Sequence, residues 1–435
     1  MMSKNLQESE NASVPRTDDA RKVVLASMIG NAMEWYDFAV YGYFAVVIGE
    51  QFFSAGTPTV QLLSSFAVFG VGFVARPLGA VVFGHFGDVH GRKKAFSLSL
   101  LLMCASTFLM GLLPNHETAG TFAVVALVLL RLMQGFSNGG EFGGSVAYLT
   151  ENAPPSKRGF WGSFQQNSLV IGLMMGTIVS VTITSTLTAD QLSTWGWRLP
   201  FLAGVLLGIP GYYIRMKLAD TAEYTEKVVD PGEKTRRPIL EALQVHWKDM
   251  FRAFWLPASP AFYVMMTFLP TYLATQLVFT PTEGLLITLA MQIAYVLVMP
   301  LSGKLSDKIG RKPVMLGGYA LAAIAIYPVF LAFNLHSVPI AVLAVMPMSV
   351  ALSGMFAPLA ALITELFPAR IRYTALSVPY NIHAAILGGF TPYIATLLIS
   401  VTGWNAAPTL LVIGISVVCF IVVSTFPETR ARKLT

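Results

Sequence analysis

The stretch Gly84-His85-Phe86-Gly87-Asp88-Val89-His90-Gly91-Arg92-Lys93-Lys94 returns 219 residues later as Gly303-Lys304-Leu305-Ser306-Asp307-Lys308-Ile309-Gly310-Arg311-Lys312. Gly, Asp, Gly, Arg and Lys keep their spacing in both copies, and each copy joins two long apolar runs. A second pair, Glu151-x-x-Pro154-x-x-x-Arg158 and Glu365-x-x-Pro368-x-x-x-Arg372, repeats at an offset of 214. Two unrelated motifs at nearly one offset imply duplication of one unit. The first pair falls between runs 2 and 3 and again between 8 and 9; the second falls between 4 and 5 and again between 10 and 11. Each unit therefore holds six runs. Parallel repeats of this kind are a transporter architecture, with the solute site between the halves near the bilayer midplane.

Working outward, apolar runs of spanning length, about 20 residues, lie at 23–48, 61–84, 95–113, 121–150, 160–185, 197–216, 252–278, 284–303, 313–333, 338–364, 373–400 and 405–426. A membrane barrel would show shorter, alternating segments. The composition agrees with lipid as the solvent: 54% of residues are hydrophobic and 12% charged, against about 25% charged in a soluble domain. The expected fold is an all-α integral membrane protein of twelve transmembrane helices in two pseudo-symmetric six-helix bundles. Its parts are a cytoplasmic tail 1–22, an N-terminal bundle 23–217, a cytoplasmic linker 218–250, a C-terminal bundle 251–427 and a tail 428–435.

Charge fixes the orientation. Of the 29 Lys and Arg residues, all but Arg76, Arg131 and Arg198 fall in the two tails or in the loops after even-numbered runs. By the positive-inside rule both termini are cytoplasmic. This asymmetry accounts for the net charge of +6 without nucleic acid. Residues 1–22 are polar and lack the apolar core of a cleavable leader, so the first run is expected to act as insertion signal. Cys104 and Cys419 sit in apolar runs, which argues against a disulfide framework.

The Gly84 loop resembles the signature loop of the major facilitator superfamily, with Val89 in place of the usual Arg and Lys308 there in the second copy. Arg131-Leu132-Met133-Gln134-Gly135 resembles that superfamily's fourth-helix motif. Gly30-Asn31-Ala32-Met33-Glu34-Trp35-Tyr36-Asp37-Phe38, Arg76-Pro77-Leu78-Gly79, Gln134 to Glu141 and Trp195-Gly196-Trp197-Arg198-Leu199-Pro200-Phe201 resemble the metabolite:proton symporter family. That family includes permeases for proline/betaine, α-ketoglutarate, citrate and shikimate. The resemblance implies proton-coupled uptake of a small organic solute across a bacterial inner membrane by a functional monomer, with no cofactor beyond the proton gradient. Helix 5 carries Gly172 and Gly176 but not the Gly-Pro pair that marks the superfamily's antiporters, which points to symport. Proline/betaine members usually carry a C-terminal coiled coil; this chain ends at Thr435, so osmosensing of that kind is not expected.

Ionisable side chains at membrane depth are functional candidates by default, since each costs about 2.5–3.5 kcal/mol or more. On helix 1, Asn31, Glu34, Asp37 and Tyr41 fall within about 120° of arc. On helix 4, Arg131, Gln134, Asn138, Glu141 and Ser145 fall within about 80°. Burial disfavours a carboxylate and a neighbouring guanidinium favours it, so a carboxyl held between the two can take and release a proton. Asp37, Glu34 and Arg131 are the proton-coupling candidates. Arg131 can also fork onto a substrate carboxylate; a static pair that only orients helices 1 and 4 is the alternative.

Asn31, Tyr41, Gln134, Asn138, Gln165, Gln166, Tyr263, Gln292, Tyr295, Tyr380 and Asn381 are substrate-binding candidates beside Arg131, or else interhelical hydrogen-bonding glue. Arg76 joins this network or packs on a carbonyl, Arg198 reads as an interfacial anchor, and His383 as a packed histidine. At the inner face Asp88, Arg92, Glu151, Asp307, Arg311, Glu365 and Arg372 are gating candidates, with Arg92 within reach of Glu151 and Arg311 of Glu365; a purely topogenic role for the basic loops is compatible with this.

No nucleophile–base or metal constellation is visible, so an enzyme is not expected. The reading is a proton-coupled symporter importing a carboxylate-bearing metabolite, either an organic acid or a zwitterionic osmolyte, by alternating access. An uncoupled or exchange transporter, or a sensor on the same fold, is the alternative.

Overall fold

The computed structural model describes residues 17–90, 92–139, 153–206 and 244–430, with single positions 146, 149, 150, 208 and 432. The spans follow in chain order. α1 comprises Thr17–Tyr43 and Ala45–Phe52; α2 comprises Pro58–Val74 and Arg76–His90; α3 is Arg92–Leu112; α4 opens as Thr121–Asn138; α5 is Arg158–Thr186. α6 is described over 199–206. α7 is built from Trp247–Trp255, Ser259–Tyr263, a π-helical turn Val264–Phe268, and Leu269–Gln276. α8 is Pro281–Ile309, α9 Arg311–Phe333, α10 Val338–Phe356 with Leu359–Leu366, α11 Ala369–His383 with a π turn Ala384–Gly388 and Thr391–Thr402, and α12 Pro408–Ser424. Among the described residues, seven continuous helices are each long and apolar enough to cross a bilayer alone. Others are interrupted, short, or only partly described.

Local sequence explains where these helices begin and end. Thr57 and Thr280 each cap a helix that starts with proline, whose missing N–H costs nothing at the first helical position. Thr280 and Glu283 close a reciprocal capping box at the outer end of α8. Gly310 ends α8 at φ 111, a backbone that residues with a Cβ rarely adopt, and α9 starts at once. Glu428 then accepts from the backbone N–H of Arg311 at 2.9 Å and Lys312 at 3.1 Å, an acid at a helix N-terminus. The helices overrun their apolar runs because they continue past the hydrocarbon: α1 begins at Thr17 inside the expected tail, and α7 at Trp247 inside the expected linker.

Large apolar side chains lie outside as well as in the core: Ile324, Leu343 and Val401 are more than two-thirds exposed, facing where lipid would be, while Asp37, Arg131, Gln134, Gln165, Gln166 and Gln292 are buried. Small residues bring backbones together, as is usual between membrane helices. A Cβ on Gly135 would lie 1.5 Å from the Gly72 carbonyl oxygen, and one on Gly79 1.8 Å from that of Phe136. α2 and α4 therefore touch backbone to backbone. α5 and α8 cross the interface between halves in the same way at Gly159 and Gly303.

Candidate functional site

Asp37 and Arg131 are buried in the N-terminal half, at 4% and 0% exposure. They make no direct ion pair; a neutral chain joins them. The Thr107 hydroxyl of α3 donates to Asp37 Oδ2 at 2.5 Å, Gln134 Nε2 donates to Thr107 Oγ1 at 2.7 Å, and Arg131 Nη1 donates to Gln134 Oε1 at 2.8 Å. Arg131 Nη2 donates to the Phe69 carbonyl at 3.4 Å, and its guanidinium lies 4.2 Å from the Tyr41 ring centroid. The Tyr41 hydroxyl donates to the Ser65 carbonyl at 3.2 Å. Asn31 is turned to α5, donating to the Gln165 carbonyl at 3.0 Å and Ser168 Oγ at 2.8 Å. Glu34 is buried on the same helix.

A second group lies where the halves meet. Arg76 donates from Nη2 to Asn138 Oδ1 and sits 5.0–5.7 Å from the rings of Phe73, Trp35 and Phe38. Trp35 faces Tyr263 of α7 at 6.2 Å. Gln165, Gln166, Tyr295, Tyr380 and Asn381 are all buried, and Asn381 Nδ2 donates to the Ser377 carbonyl at 2.9 Å. On the outer side Tyr43 knots the halves. It accepts from Gln292 Nε2 at 2.9 Å and donates to the Met266 carbonyl at 3.0 Å; the single Thr177 hydroxyl proton has Tyr43 Oη at 3.1 Å and Gln292 Oε1 at 2.9 Å as alternative acceptors. His383 accepts from the Ser259 backbone N–H at 3.3 Å. Arg198 donates to the Thr194 and Leu113 carbonyls and covers Trp197.

The end of the bundle expected to face inward is ionic. Arg311 Nη1 lies 2.6 Å from Asp307 Oδ1 and Nη2 3.1 Å from Glu365 Oε1. Asp307 also accepts from the backbone N–H groups of Gly159 and Phe160, both at 2.8 Å, so a carboxylate of the C-terminal half caps a helix of the N-terminal half. Arg158 reaches Glu365 at 3.9 Å, and Thr150 meets Thr364 at 2.8 Å. Arg372 Nε donates to the Phe367 carbonyl at 3.0 Å. The side chains of Asp88 and Arg92, and all of Glu151, lie outside the described residues.

Thr107, Tyr43, Thr177, Trp35 and Arg158 are site residues that the sequence reading did not select. A hydroxyl or ring within an apolar run carries no charge to mark it, and only Arg158 stood in a repeated motif. Among the described residues no His, Cys, Asp and Glu group is placed to hold a metal ion.

Comparison with known proteins follows this geometry. Residues 22–243 match the family described as sugar (and other) transporter, and residues 256–435 the major facilitator superfamily. A proline/betaine transporter of Escherichia coli K12 is 34% identical over 425 residues, covering 95% of this chain and 85% of that protein. A glycine betaine/proline/ectoine/pipecolic acid transporter of Dickeya dadantii is 36% identical over 394 residues, covering 87% and 77%. Among solved structures, a proton:xylose symporter bound to 6-bromo-6-deoxy-D-glucose superimposes with TM-score 0.77 at 18% identity, covering 97% of this chain and 98% of that one. The inward-open xylose transporter of Escherichia coli gives 0.74 at 18% identity over 94% and 97%. At such identity the likeness is one of fold.

Proposed function

The chain belongs to the major facilitator superfamily of membrane transporters, and on that footing we propose that it is a proton-coupled symporter for a small carboxylate-bearing solute. The relatives' names favour a zwitterion such as proline or a betaine over a dicarboxylate. The observation that carries the coupling is the Thr107 hydroxyl. It has one proton and two acceptors within reach, Asp37 Oδ2 at 2.5 Å and the Met103 carbonyl at 3.0 Å. With Asp37 ionised, the hydroxyl donates to the carboxylate. With Asp37 protonated, the acid's own O–H donates to Thr107 and the hydroxyl turns to Met103. Both protonation states are thus hydrogen-bonded, which a buried polar group requires. In both states Gln134 donates to Thr107 and accepts from Arg131, which holds the guanidinium near Asp37 without contact.

Alternating access is the work of the two closures. The Asp307 cap on α5 holds the inner side and the Tyr43–Thr177–Gln292 knot the outer; opening one at a time exposes the seam between halves to one side. The protein resides in a bacterial cytoplasmic membrane with both termini inside, on the Lys/Arg asymmetry. Cysteines placed at Gly56 and Asp190 should label from outside, and one at Lys94 only after permeabilisation.

The deciding experiment is uptake of labelled proline, glycine betaine and α-ketoglutarate into proteoliposomes under an imposed pH gradient. Accumulation should follow the gradient and collapse with a protonophore. Accumulation that survives the protonophore and requires sodium would overturn proton coupling; equilibration without accumulation would make this an uncoupled carrier, and binding without flux a sensor.

A further inference from the structure

Arg76 is a buried cation that the coupling chain leaves unused. It is 3% exposed, and only Nη2 has a partner, the Asn138 side-chain oxygen. Nε and Nη1 have none, and neither does Asn138 Nδ2. Beyond that one bond, three buried donor nitrogens of the pair are left without an acceptor. Other buried arginines are better served: Arg311 has a carboxylate on each of its three nitrogens, and Arg131, with both Nη atoms bonded inside the N-terminal half, leaves only Nε bare. An unpaired charge out of water is strongly unfavourable, and aromatic faces offset only part of that.

We propose that Arg76, rather than Arg131, takes the solute's carboxylate, with Asn138 Nδ2 as the second donor. The proposal rests on the transport reading above and assigns its binding site. A carboxylate is an acceptor with two oxygens, the complement of this donor set. The position suits the task. Arg76, Asn138, Trp35 and Phe73 come from the N-terminal half, whereas Tyr263, 6.2 Å from Trp35 and 5.6 Å from Phe73 between ring centroids, comes from the C-terminal half. The anchor therefore lies at the seam that alternating access opens. The Trp35 and Tyr263 rings offer the adjoining surface to a compact cationic nitrogen, so the site discriminates a zwitterion from a cation lacking the carboxylate.

The test is ligand binding to purified full-length protein by calorimetry, using glycine betaine, proline, α-ketoglutarate and choline. At least one carboxylate should bind and choline should not. Arg76→Lys keeps the charge but loses the planar donor set, and should weaken binding by about tenfold or more. Arg198→Lys, at the outer rim, is the control and should leave binding unchanged. Asn138→Asp serves if the Arg76 variants do not fold: it supplies the missing acceptor from within, so the empty protein should melt higher while ligand binding is lost. Choline binding as tightly as betaine, no binding by any carboxylate, or unchanged affinity in Arg76→Lys or Asn138→Asp would overturn the assignment. Arg76-dependent binding without gradient-driven accumulation would sink the coupling reading and leave this site standing; accumulation indifferent to Arg76 would do the reverse.

Discussion

Arg131 and Arg311 are both buried arginines with a carboxylate in their own half, yet the two regions are wired differently. At the inner face Arg311 touches Asp307 and Glu365 directly, at 2.6 and 3.1 Å, and Thr429 adds a 2.6 Å hydrogen bond to Glu365. At the centre of the N-terminal half, Asp37 is kept from Arg131 by Thr107 and Gln134. A carboxylate in a direct ion pair, with its other oxygen also bonded, is fixed in place and serves as a latch. One reached through a neutral hydroxyl is hydrogen-bonded in either protonation state, because the Thr107 hydroxyl can turn from Asp37 to the Met103 carbonyl. The same two residue types thus form a clamp in one place and, on the reading proposed above, a proton site in the other.

The sharpest way to break this comparison is Asp37→Asn, which keeps the shape and removes the titration. A pH gradient of one unit supports about tenfold accumulation; the variant should fall to simple equilibration while retaining solute binding by calorimetry. Accumulation at the parent level would make Asp37 a structural residue. Next comes the latch. Arg311→Gln removes the closest charge partner of buried Glu365, leaving it Thr429 and the more distant Arg158, and should cost about 3 kcal/mol in a thermal or denaturant melt. The double variant Arg311→Met, Glu365→Met should recover most of that, whereas no such recovery is expected when Asp37 and Arg131 are replaced together.

Smaller effects sharpen the distinction. Thr107→Val preserves volume but breaks the relay, and the loss of one buried hydrogen bond should slow gradient-driven uptake by about tenfold; Thr107→Ser keeps the hydroxyl and should restore the rate. If valine and serine behave alike, the relay carries no proton information. The smallest effect is expected at the outer knot. Tyr43→Phe removes a hydroxyl worth about 1 kcal/mol, and should raise the external labelling rate of a cysteine at Thr184 by about fivefold.

Much of this was legible in the sequence. Hydropathy and the two repeated motifs determined a duplicated six-helix membrane fold, because the bilayer imposes a span length and a backbone that must satisfy itself on any chain; the Lys/Arg asymmetry added an expected orientation. Helical periodicity likewise placed Asp37 and Arg131 on polar stripes, and spacing placed Arg311 within reach of Glu365. The wiring between helices had to come from the tertiary structure. Periodicity tells which face a residue occupies but not which neighbour that face meets. So Thr107, a plain hydroxyl in an apolar run, was invisible as the link between Asp37 and Gln134, and Asn31 gave no sign that it is spent on α5. Arg76 makes the point most plainly: in sequence it is one more intramembrane charge, and only packing shows which of its donors are filled and which are left bare, since a hydrogen-bond partner is a fact of distance between segments that the chain order does not contain.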